Sequence, residues 1–500
     1  MGKQFEELHR ELGGHGFGIV YERSVVESGE TTYFLARDSD GKKVLCIYGE
    51  AQDALARDGF ECTQRGPIFV CPLSAENAHA LRTRFEWLRP VPLGLATSVG
   101  TGDRLGLATP GHIRAVRRCN GVSPILTQQS MRENARTGRS PQEVMDDAMW
   151  GVFEEGWRNP WGADADHLKT AADVDLCVAA GYTFFTIDPG DHVDNAAHTD
   201  TLSTLREKFE MLPWSRLQDD AESMRARYVG RQERIASVTL MFDEVSLLRA
   251  ACKYGRALAH TAAMYHHLVE VSAGRGNVEA TPFELEVSVD ETETPTSPLE
   301  HIFIAGELSR MGVEWVSLAP RYIGRFEKGV DYIGDLTVFE NEFALHAEIA
   351  RLFGPYKLSI HSGSDKFSIY PAMAEHTQRV AHLKTAGTSY LEALRAIAVV
   401  DPGFFREILA LAIDRYETDR ATYHVSADVA RVPAPDTLTG QELAKILDAF
   451  DAREALHVTF GSVLDAYGQR LKAVLDANEE AHYAVLETHF MRHLAPFCHA

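Results

Sequence analysis

The chain has 500 residues, of which 45% are hydrophobic and 24% are charged, proportions typical of a folded globular protein. Its formal net charge is −22, from 72 acidic and 50 basic residues. This acidic balance argues against nucleic acid as a partner, because phosphate backbones require clustered lysine and arginine. A small anionic substrate is still compatible with it, since a few local cations are enough to bind one carboxylate.

The seven cysteines are odd in number, widely spaced and free of any C-x-x-C pair. We therefore expect neither a disulfide framework nor a cysteine-based zinc site, and we expect a reducing compartment. The charged N-terminal segment lacks the apolar core of a signal peptide, and no run of about 18 apolar residues predicts a membrane span. A cytoplasmic protein without a membrane partner is expected, with the oligomeric state left open, a homo-oligomer included.

Residues 1–88 form the first predicted unit, a small α/β appendage. TYFLAR, KKVLCIYG and GPIFVCPL are typical of short strands, and a Ser-Asp-Gly turn separates the first two. AENAHALRTRFEWL then has the pattern of a helix. No chemistry is indicated in this unit, so we expect an appended or interface domain.

Residues 89–435 are predicted to form the catalytic domain, because strands and helices alternate there. Such alternation predicts a parallel sheet, and eight units predict a closed barrel of the TIM (β/α)8 type. A helical insertion is expected at about residues 200–275, and residues 436–500 are expected to form C-terminal helices packed on the barrel. The eight candidate strands are PVPLGLATSV, VSPILTQ, YTFFTID, FELEVSVD, EWVSLAP, YKLSIHS, AHLKT and ATYHVSAD.

Within a TIM barrel, catalytic groups lie at the C-terminal ends of the strands. The segment FELEVSVDE places Glu284, Glu286, Ser288 and Asp290 on one face, because a strand alternates at period two. Carboxylates that line a lumen are costly unless a cation or a substrate compensates them. The alternative is an exposed edge strand whose polar face meets water.

A second acidic segment, TIDPGDHVDN, begins at the end of an earlier candidate strand, YTFFTID. Asp188 ends the strand, and a Pro-Gly turn presents Asp191 and His192. A neutral imidazole binds a divalent metal, and a carboxylate can accept or donate a proton. The alternative is a solvated acidic turn.

The segment KLSIHSGSDKF places His361 on the lumen face near a strand end, with Ser364 and Lys366 in the loop that follows. Hydroxyl, backbone N–H and ammonium groups there could hold the carboxylate or hydroxyls of a substrate. The alternative for His361 is an ordinary, satisfied polar group at a strand end.

Two weaker signals complete the set of candidates. Arg321 and Glu327 follow the strand EWVSLAP, where a surface ion-pair cluster is the alternative, and His424 with Asp428 ends the last candidate strand. No phosphate-binding loop, nucleophile elbow, dinucleotide fingerprint or H-E-x-x-H motif is present. A metal combined with acid–base groups is therefore the simplest chemistry.

Four long segments resemble the tagaturonate epimerase family: TIDPGDHVDN, FELEVSVDETETPTSPLEHIFIAGEL, SLAPRYIGRFEKGVDYIGD and YKLSIHSGSDKFSIYP. The likeness runs from about residue 90 to 430. It implies reversible conversion of D-tagaturonate to D-fructuronate with a divalent metal, for which Zn, Mn, Ni, Co and Fe are all compatible. The roles that it implies are proton acceptor for Asp191 (with Asp188 in reserve), proton donor for Glu286, and metal ligand for His192, Glu327 and His361.

The chemistry implied by the resemblance favours breaking a carbon–carbon bond. The two sugar acids differ at a carbon two bonds from the ketone carbon, where loss of the C–H proton gives no enolate. A retro-aldol cleavage followed by re-addition avoids this difficulty, with the metal acting as Lewis acid. Arg321 and Lys366 are expected to bind the substrate's carboxylate, with Ser364 and His424 as further contacts. The alternatives are a metal-dependent isomerase or aldolase acting on another sugar, and a non-catalytic sugar-acid sensor.

Overall fold

The computed structural model describes residues 17–49, 52–274 and 282–499. From residue 17 onward, its N-terminal part contains an antiparallel sheet of five strands in the order β1-β2-β3-β5-β4, together with the helices α1 and α2. The three predicted strands and the predicted helix of this unit are present as β2, β3, β5 and α2. The bounds are β1 Val26–Ser28, β2 Thr31–Arg37, β3 Lys43–Tyr48, α1 Gln52–Arg57, β4 Thr63–Arg65, β5 Ile68–Cys71 and α2 Ala75–Arg84.

Nine parallel strands follow, in the order β7-β6-β16-β15-β14-β13-β10-β9-β8, and a separate hairpin pairs β11 with β12. Their bounds are β6 Ser98–Gly100, β7 Ser123–Ile125, β8 Gln129–Ser130, β9 Asp164–Leu168, β10 Phe184–Ile187, β11 Gln232–Ile235, β12 Val238–Met241, β13 Glu284–Ser288, β14 Ser317–Ala319, β15 Lys357–Ile360 and β16 Ala381–Lys384.

The nine strands close into an eight-stranded ring, because β7 and β8 are two parts of one extended segment. Ile125, at the end of β7, forms a parallel bridge with Gly162, which lies just before β9. Leu126 N donates to Gly162 O at 2.9 Å, and Gly162 N donates to Pro124 O at 2.9 Å. The predicted (β/α)8 barrel is thereby confirmed.

Helices surround the barrel, and a layer made of α7–α10 and the β11–β12 hairpin lies between β10 and β13. The helices are α3 Thr109–Arg117, α4 Met131–Thr137, α5 Pro141–Glu154, α6 Ala171–Ala179, α7 Leu202–Glu210, α8 Trp214–Leu217, α9 Ala221–Tyr228, α10 Glu244–Ser272, α11 Pro298–Arg310, α12 Leu336–Leu352, α13 Tyr370–His376, α14 Thr388–Val400, α15 Pro402–Asp419, α16 Gly440–Lys445, α17 Phe450–Val458, α18 Phe460–Ala477 and α19 Glu479–Leu494. One apolar cluster includes side chains from the N-terminal sheet, the barrel and α19. The predicted division at residues 88 and 435 stays a prediction.

Seven of the eight predicted strands overlap a barrel strand, and the prediction for ATYHVSAD is wrong. That segment begins with a 3-10 turn, Arg420–Thr422, and continues as loop. Apolar and polar residues alternate in this segment because Tyr423, Val425 and Ala427 pack on a small apolar cluster. The segment does not pair with a strand of the described residues. The strand that completes the ring is β9, whose sequence DADHL is too polar to suggest a buried strand.

Two disulfides join Cys62 to Cys71 and Cys119 to Cys498, so the expectation of unpaired cysteines is wrong for these four residues. The second pair is separated by 379 residues, and linear spacing gives no sign that the C-terminus folds back onto the barrel. The other three cysteines are buried free thiols. None of the helices in the described residues has the length and apolar character needed to cross a membrane.

Close packing between α3 and α19 gives a test of this architecture. A Cβ atom at Gly111 would lie 2.7 Å from Leu486 Cβ, whereas one at Gly468 in α18 would meet nothing closer than 3.9 Å. Gly111→Ala is expected to lower the free energy of unfolding by about 1–3 kcal/mol through overpacking. Gly468→Ala is expected to raise it by up to about 1 kcal/mol through helix propensity. Denaturant unfolding of both variants measures this, and equal effects would contradict the packing.

Candidate active site

A buried cluster of charges fills the centre of the barrel lumen. The Lys384 ammonium lies 2.8 Å from Asp164 Oδ2, 2.7 Å from Asp166 Oδ1 and 2.8 Å from Glu286 Oε1. It also donates to Thr186 Oγ1 at 2.6 Å. Burial, together with the neighbouring carboxylates Asp166 and Glu286, raises the pKa of Asp164 to about 7. One ammonium therefore contacts three carboxylates, and the raised pKa of Asp164 reflects this crowding of negative charge.

A β-bulge in β9 turns His167 toward this cluster. Ala165 pairs with Phe185 and Leu168 pairs with Ile187, so β9 contains one residue more than β10 between these pairs. His167 has φ 54°, in the left-handed region that few non-glycine residues adopt. Strict alternation after the inward-facing Asp166 would direct His167 out of the lumen, and the bulge brings it back.

Two imidazoles meet above the charge cluster. His361 Nδ1 lies 3.3 Å from His167 Nε2. The two histidines also form a group with Asp166, in which one ligand-type atom of each residue lies within 4.8 Å of the others. The opposite nitrogen of each ring contacts a carboxylate, His361 Nε2 with Glu286 and His167 Nδ1 with Asp188 at 3.2 Å. Burial alone would lower the pKa of His167, but Asp166 and Asp188 raise it to about 10.

A cavity of about 530 Å³, whose lining includes His361 but not His167, opens between the loops that follow β13, β14 and β15. Arg321 and Lys328 line it, and within the described chain neither has a carboxylate within 4.0 Å; Arg321 donates to Tyr322 O at 2.9 Å and Lys328 to Ser362 Oγ at 2.9 Å. Burial lowers the pKa of Arg321. The cavity residues are Arg132, Asp290, Glu291, Thr292, Glu293, Pro320, Arg321, Tyr322, Arg325, Phe326, Glu327, Lys328, Ile360, His361, Ser362, Tyr423 and His424.

The model of one protein family, described as tagaturonate epimerase, matches residues 21–497. The chain belongs to the tagaturonate epimerase family. A tagaturonate/fructuronate epimerase from Thermotoga maritima is 45% identical over 484 residues, which cover 96% of this chain and 97% of that protein. The enzyme is therefore an isomerase of the carbohydrate epimerase class, as the resemblance predicted.

Solved structures of the family share the fold along the whole chain. The native crystal structure of a fructuronate-tagaturonate epimerase from Cohnella laeviribosi has a TM-score of 0.90 and 35% identity, and the match covers 98% of this chain and 99% of that one. A crystal structure of the same protein with one glycerol has the same TM-score and identity, with 99% of each chain covered.

The structure brings two of the predicted catalytic and metal-binding residues of this epimerase together, His361 and Glu286, which are in contact. Asp191 lies on a surface turn with 70% of its side chain exposed, where it pairs with Lys169 at 2.9 Å. His192 is also exposed, and its ring lies 4.2 Å from that of His260. Within the described parts of the chain, no group of three metal-ligating atoms includes His192, Asp191 or Glu327.

The predicted substrate contacts fall in two places. Arg321 and His424 line the cavity, as does the predicted metal ligand Glu327, which accepts hydrogen bonds from Ser426. The Lys366 ammonium is fully buried and donates to three backbone carbonyls. Ser364 is buried as well, and its hydroxyl donates to the Ala386 carbonyl at 3.0 Å.

Sequence reasoning missed Asp164, Asp166, His167 and Lys384. The signal that could have found the first two is their spacing, because DADHL repeats the period-two carboxylates that singled out FELEVSVDE. Lys384 lies in the predicted strand AHLKT, where a lysine following the inward-facing His382 by two residues also points inward.

The two buried lysines of the lumen give a matched test of the charge cluster. Lys384→Met leaves three buried carboxylates without their cation and is expected to lower the free energy of unfolding by about 3–5 kcal/mol. Lys357→Met is expected to change it by less than about 1 kcal/mol, because among the described residues the Lys357 ammonium contacts the Ser98 hydroxyl at 3.2 Å and the face of the Phe184 ring at 5.4 Å, with no carboxylate within 4.0 Å. Denaturant unfolding at pH 7 compares them, and similar losses would contradict the assignment.

Proposed function

We propose that this enzyme interconverts D-tagaturonate and D-fructuronate with a divalent metal ion held at the mouth of the barrel. The observation that carries the proposal is the pair of facing imidazoles, His167 and His361, below a cavity lined by cations, in a chain 45% identical to a tagaturonate/fructuronate epimerase. A small sugar acid as the only partner and a cytoplasmic location belong to the same proposal.

The residues at the lumen mouth fit a divalent metal. Two imidazole nitrogens on one tetrahedral ion, each about 2.0–2.1 Å from it, lie about 3.3–3.4 Å apart. His167 Nε2 and His361 Nδ1 are 3.3 Å apart. The other nitrogen of each ring contacts a buried carboxylate, the usual arrangement for metal-binding histidines. We therefore assign the ion to His167, His361 and Asp166, with its identity open among Zn, Mn, Ni, Co and Fe.

His361 is common to this set and to the set implied by the resemblance. His192 and Glu327 stay predictions, and the two sets differ in one testable respect. Metal binding that depends on His167 but not on His192 favours the lumen site.

Proton transfer to and from the substrate is assigned to Asp290. Its carboxylate lines the cavity, lies 3.5 Å from His361 Nδ1, and accepts a hydrogen bond from Ser288 at 2.6 Å. Glu286, the predicted proton donor, is fully buried below His361, where Lys384 and Ser317 also contact it. We propose that Glu286 orients the imidazole ring of His361 and stabilises positive charge on that ring. Asp191, the predicted acceptor, stays a prediction.

The remaining chemistry follows from which bond can break. A carboxylate at Asp290 accepts the proton of the substrate hydroxyl on the carbon to be inverted, and the adjacent carbon–carbon bond breaks to give an aldehyde and an enediolate. A divalent ion supplies Lewis-acid stabilisation of the negative charge on oxygen. The aldehyde rotates, the bond re-forms on its other face, and Asp290 returns the proton.

Arg321 and Lys328 are assigned to the substrate's carboxylate. Both are partly buried cations in the cavity wall without a carboxylate partner in the described chain, and such groups are costly to bury unless an anion binds. A guanidinium also matches the planar geometry of a carboxylate. Holding the acid group at this wall directs the rest of the sugar toward His361.

The proposed function is tested by incubating the purified enzyme with D-tagaturonate and following products by NMR. Conversion to D-fructuronate is expected, with loss of activity after EDTA treatment and recovery when a divalent metal is added back. A different product would indicate an isomerase or aldolase acting on the same site. Absence of conversion with every metal would refute the epimerase assignment.

Three variants identify the metal ligands. Because the loss of an outer contact already weakens metal binding by about 10–100-fold, His167→Ala and His361→Ala are each expected to weaken it by at least about 100-fold. His192→Ala, an exposed histidine from the other predicted set, is the matched control and is expected to keep wild-type affinity. Calorimetric titration with Zn²⁺ or Mn²⁺ measures this. Weakened binding in His192→Ala, with wild-type affinity in the other two variants, would instead place the metal site at the turn that follows β10.

Isotope labelling tests the bond that breaks. In D₂O, the fructuronate formed is expected to contain no deuterium at the inverted carbon, because retro-aldol cleavage does not remove the hydrogen bound to it. A ¹³C kinetic isotope effect is expected at the two carbons of the broken bond. One deuterium incorporated per turnover would instead show direct deprotonation.

A further inference from the structure

A second cluster of ligand-type side chains lies outside the cavity. Atoms of Asp365, His489 and His493 lie within 4.8 Å of one another, which resembles a metal site. However, the Arg453 guanidinium occupies the cluster, with Nη2 2.9 Å from Asp365 Oδ2 and 3.4 Å from His489 Nε2. A cation is already in place there, so the cluster is an ion-pair network.

Asp365 holds the backbone of the loop that begins at His361. Its φ of 61° lies in the left-handed region, which a non-glycine residue adopts only when its surroundings require it. Asp365 N donates to His493 Nε2 at 3.0 Å, and Asp365 Oδ1 lies 2.5 Å from His489 Nε2. Both histidines belong to α19, so the C-terminal helix fixes the conformation of this loop.

The next residue, Lys366, connects that loop to its neighbour. Its ammonium donates to Glu327 O at 2.7 Å, to Ser364 O at 2.9 Å and to Val330 O. Two of these carbonyls belong to the loop after β14, and one belongs to the loop after β15. All three ammonium protons are used, so the side chain links the two loops and has none left for a substrate.

Arg453 of α17 contacts the same two loops from the other side. Its Nε donates to Gly329 O at 2.7 Å in the loop after β14, and its Nη2 pairs with Asp365 in the loop after β15. Its Nη1 donates to Glu392 Oε1 at 3.0 Å in α14. Arg453 is buried and does not line the cavity.

We infer that Asp365, Lys366 and Arg453, here named the loop clamp, position the two cavity loops, so that the C-terminal helices are part of the catalytic unit. One loop begins at His361, and the other includes Arg321 and Lys328. The loop clamp makes Lys366 a positioning residue, in place of the substrate contact predicted from the sequence. The inference rests on the proposed roles of His361 and Arg321.

Two arginines that bind the same glutamate give a matched test. Arg453→Met removes contacts to both loops and to Glu392. Arg395→Met removes a guanidinium that donates to Glu392 Oε2 at 2.7 Å, to Ala444 O at 2.7 Å and to Asp448 at 2.9 Å, without touching either loop. Both variants lose a buried ion pair to Glu392, but only the first loses the loop clamp.

The expected result is a difference in function at temperatures well below both melting transitions. Arg453→Met is expected to lower kcat by about ten- to hundredfold and to raise KM, because both loops shift. It is also expected to weaken metal binding, measured by calorimetric titration with Mn²⁺, by about tenfold. Arg395→Met is expected to stay within about twofold of wild type in all three quantities. Equal behaviour of the two folded variants would overturn the inference.

A second variant covers the case in which Arg453→Met does not fold. Asp365→Asn keeps the shape of the side chain and tolerates the left-handed backbone, but it loses the charge that holds Arg453 and His489. It is expected to change kcat, KM and Mn²⁺ affinity in the same directions, and wild-type values would overturn the inference. If the wild-type enzyme fails to convert tagaturonate, the proposed function fails, and the metal titration still tests the loop clamp.

Discussion

The ammonium of Lys384 is the constraint on which the rest of the site depends. A lumen that contains Asp164, Asp166 and Glu286 without a cation would be strongly destabilised by burial of their charge. With Lys384 at 2.7–2.8 Å from all three, the carboxylates are kept in the core of the barrel, where Glu286 can hold His361. The imidazole pair of the proposed metal site therefore rests on this ion cluster.

The carboxylates of the lumen also position the two imidazoles that lie beside them. Glu286 contacts one nitrogen of His361, and Asp188 contacts one nitrogen of His167. The other nitrogens of the two rings face each other at 3.3 Å. His361 and the cations Arg321 and Lys328 line the same cavity. The proposed sugar-acid substrate carries the negative charge that these cations would bind.

Periodicity made much of the barrel predictable from the sequence. Glu286 and His361 were found because alternation at period two places them on an inward face, and their contact confirms that reading. The strand β9 was missed because its two aspartates look like loop residues until Lys384, more than 200 positions later, is brought beside them. The role of Lys366 could not be seen either, because the carbonyls that take its protons become neighbours only in the folded chain. Local sequence predicts the face on which a side chain lies, but the topology of the folded chain determines which residue that side chain contacts.

In the proposed metal site, the β-bulge at His167 allows one strand to supply two neighbouring ligands. A regular strand offers the lumen one side chain for every two residues, so two ligands from one strand would be separated by a full repeat. The extra residue in β9 lets Asp166 and His167, adjacent in the chain, reach the same point. Once one of them is bound, the other is already within reach, and little further freedom is lost when it binds. A single-residue deletion in β9 would restore regular pairing there, and the strand would then offer the proposed metal ion one ligand instead of two.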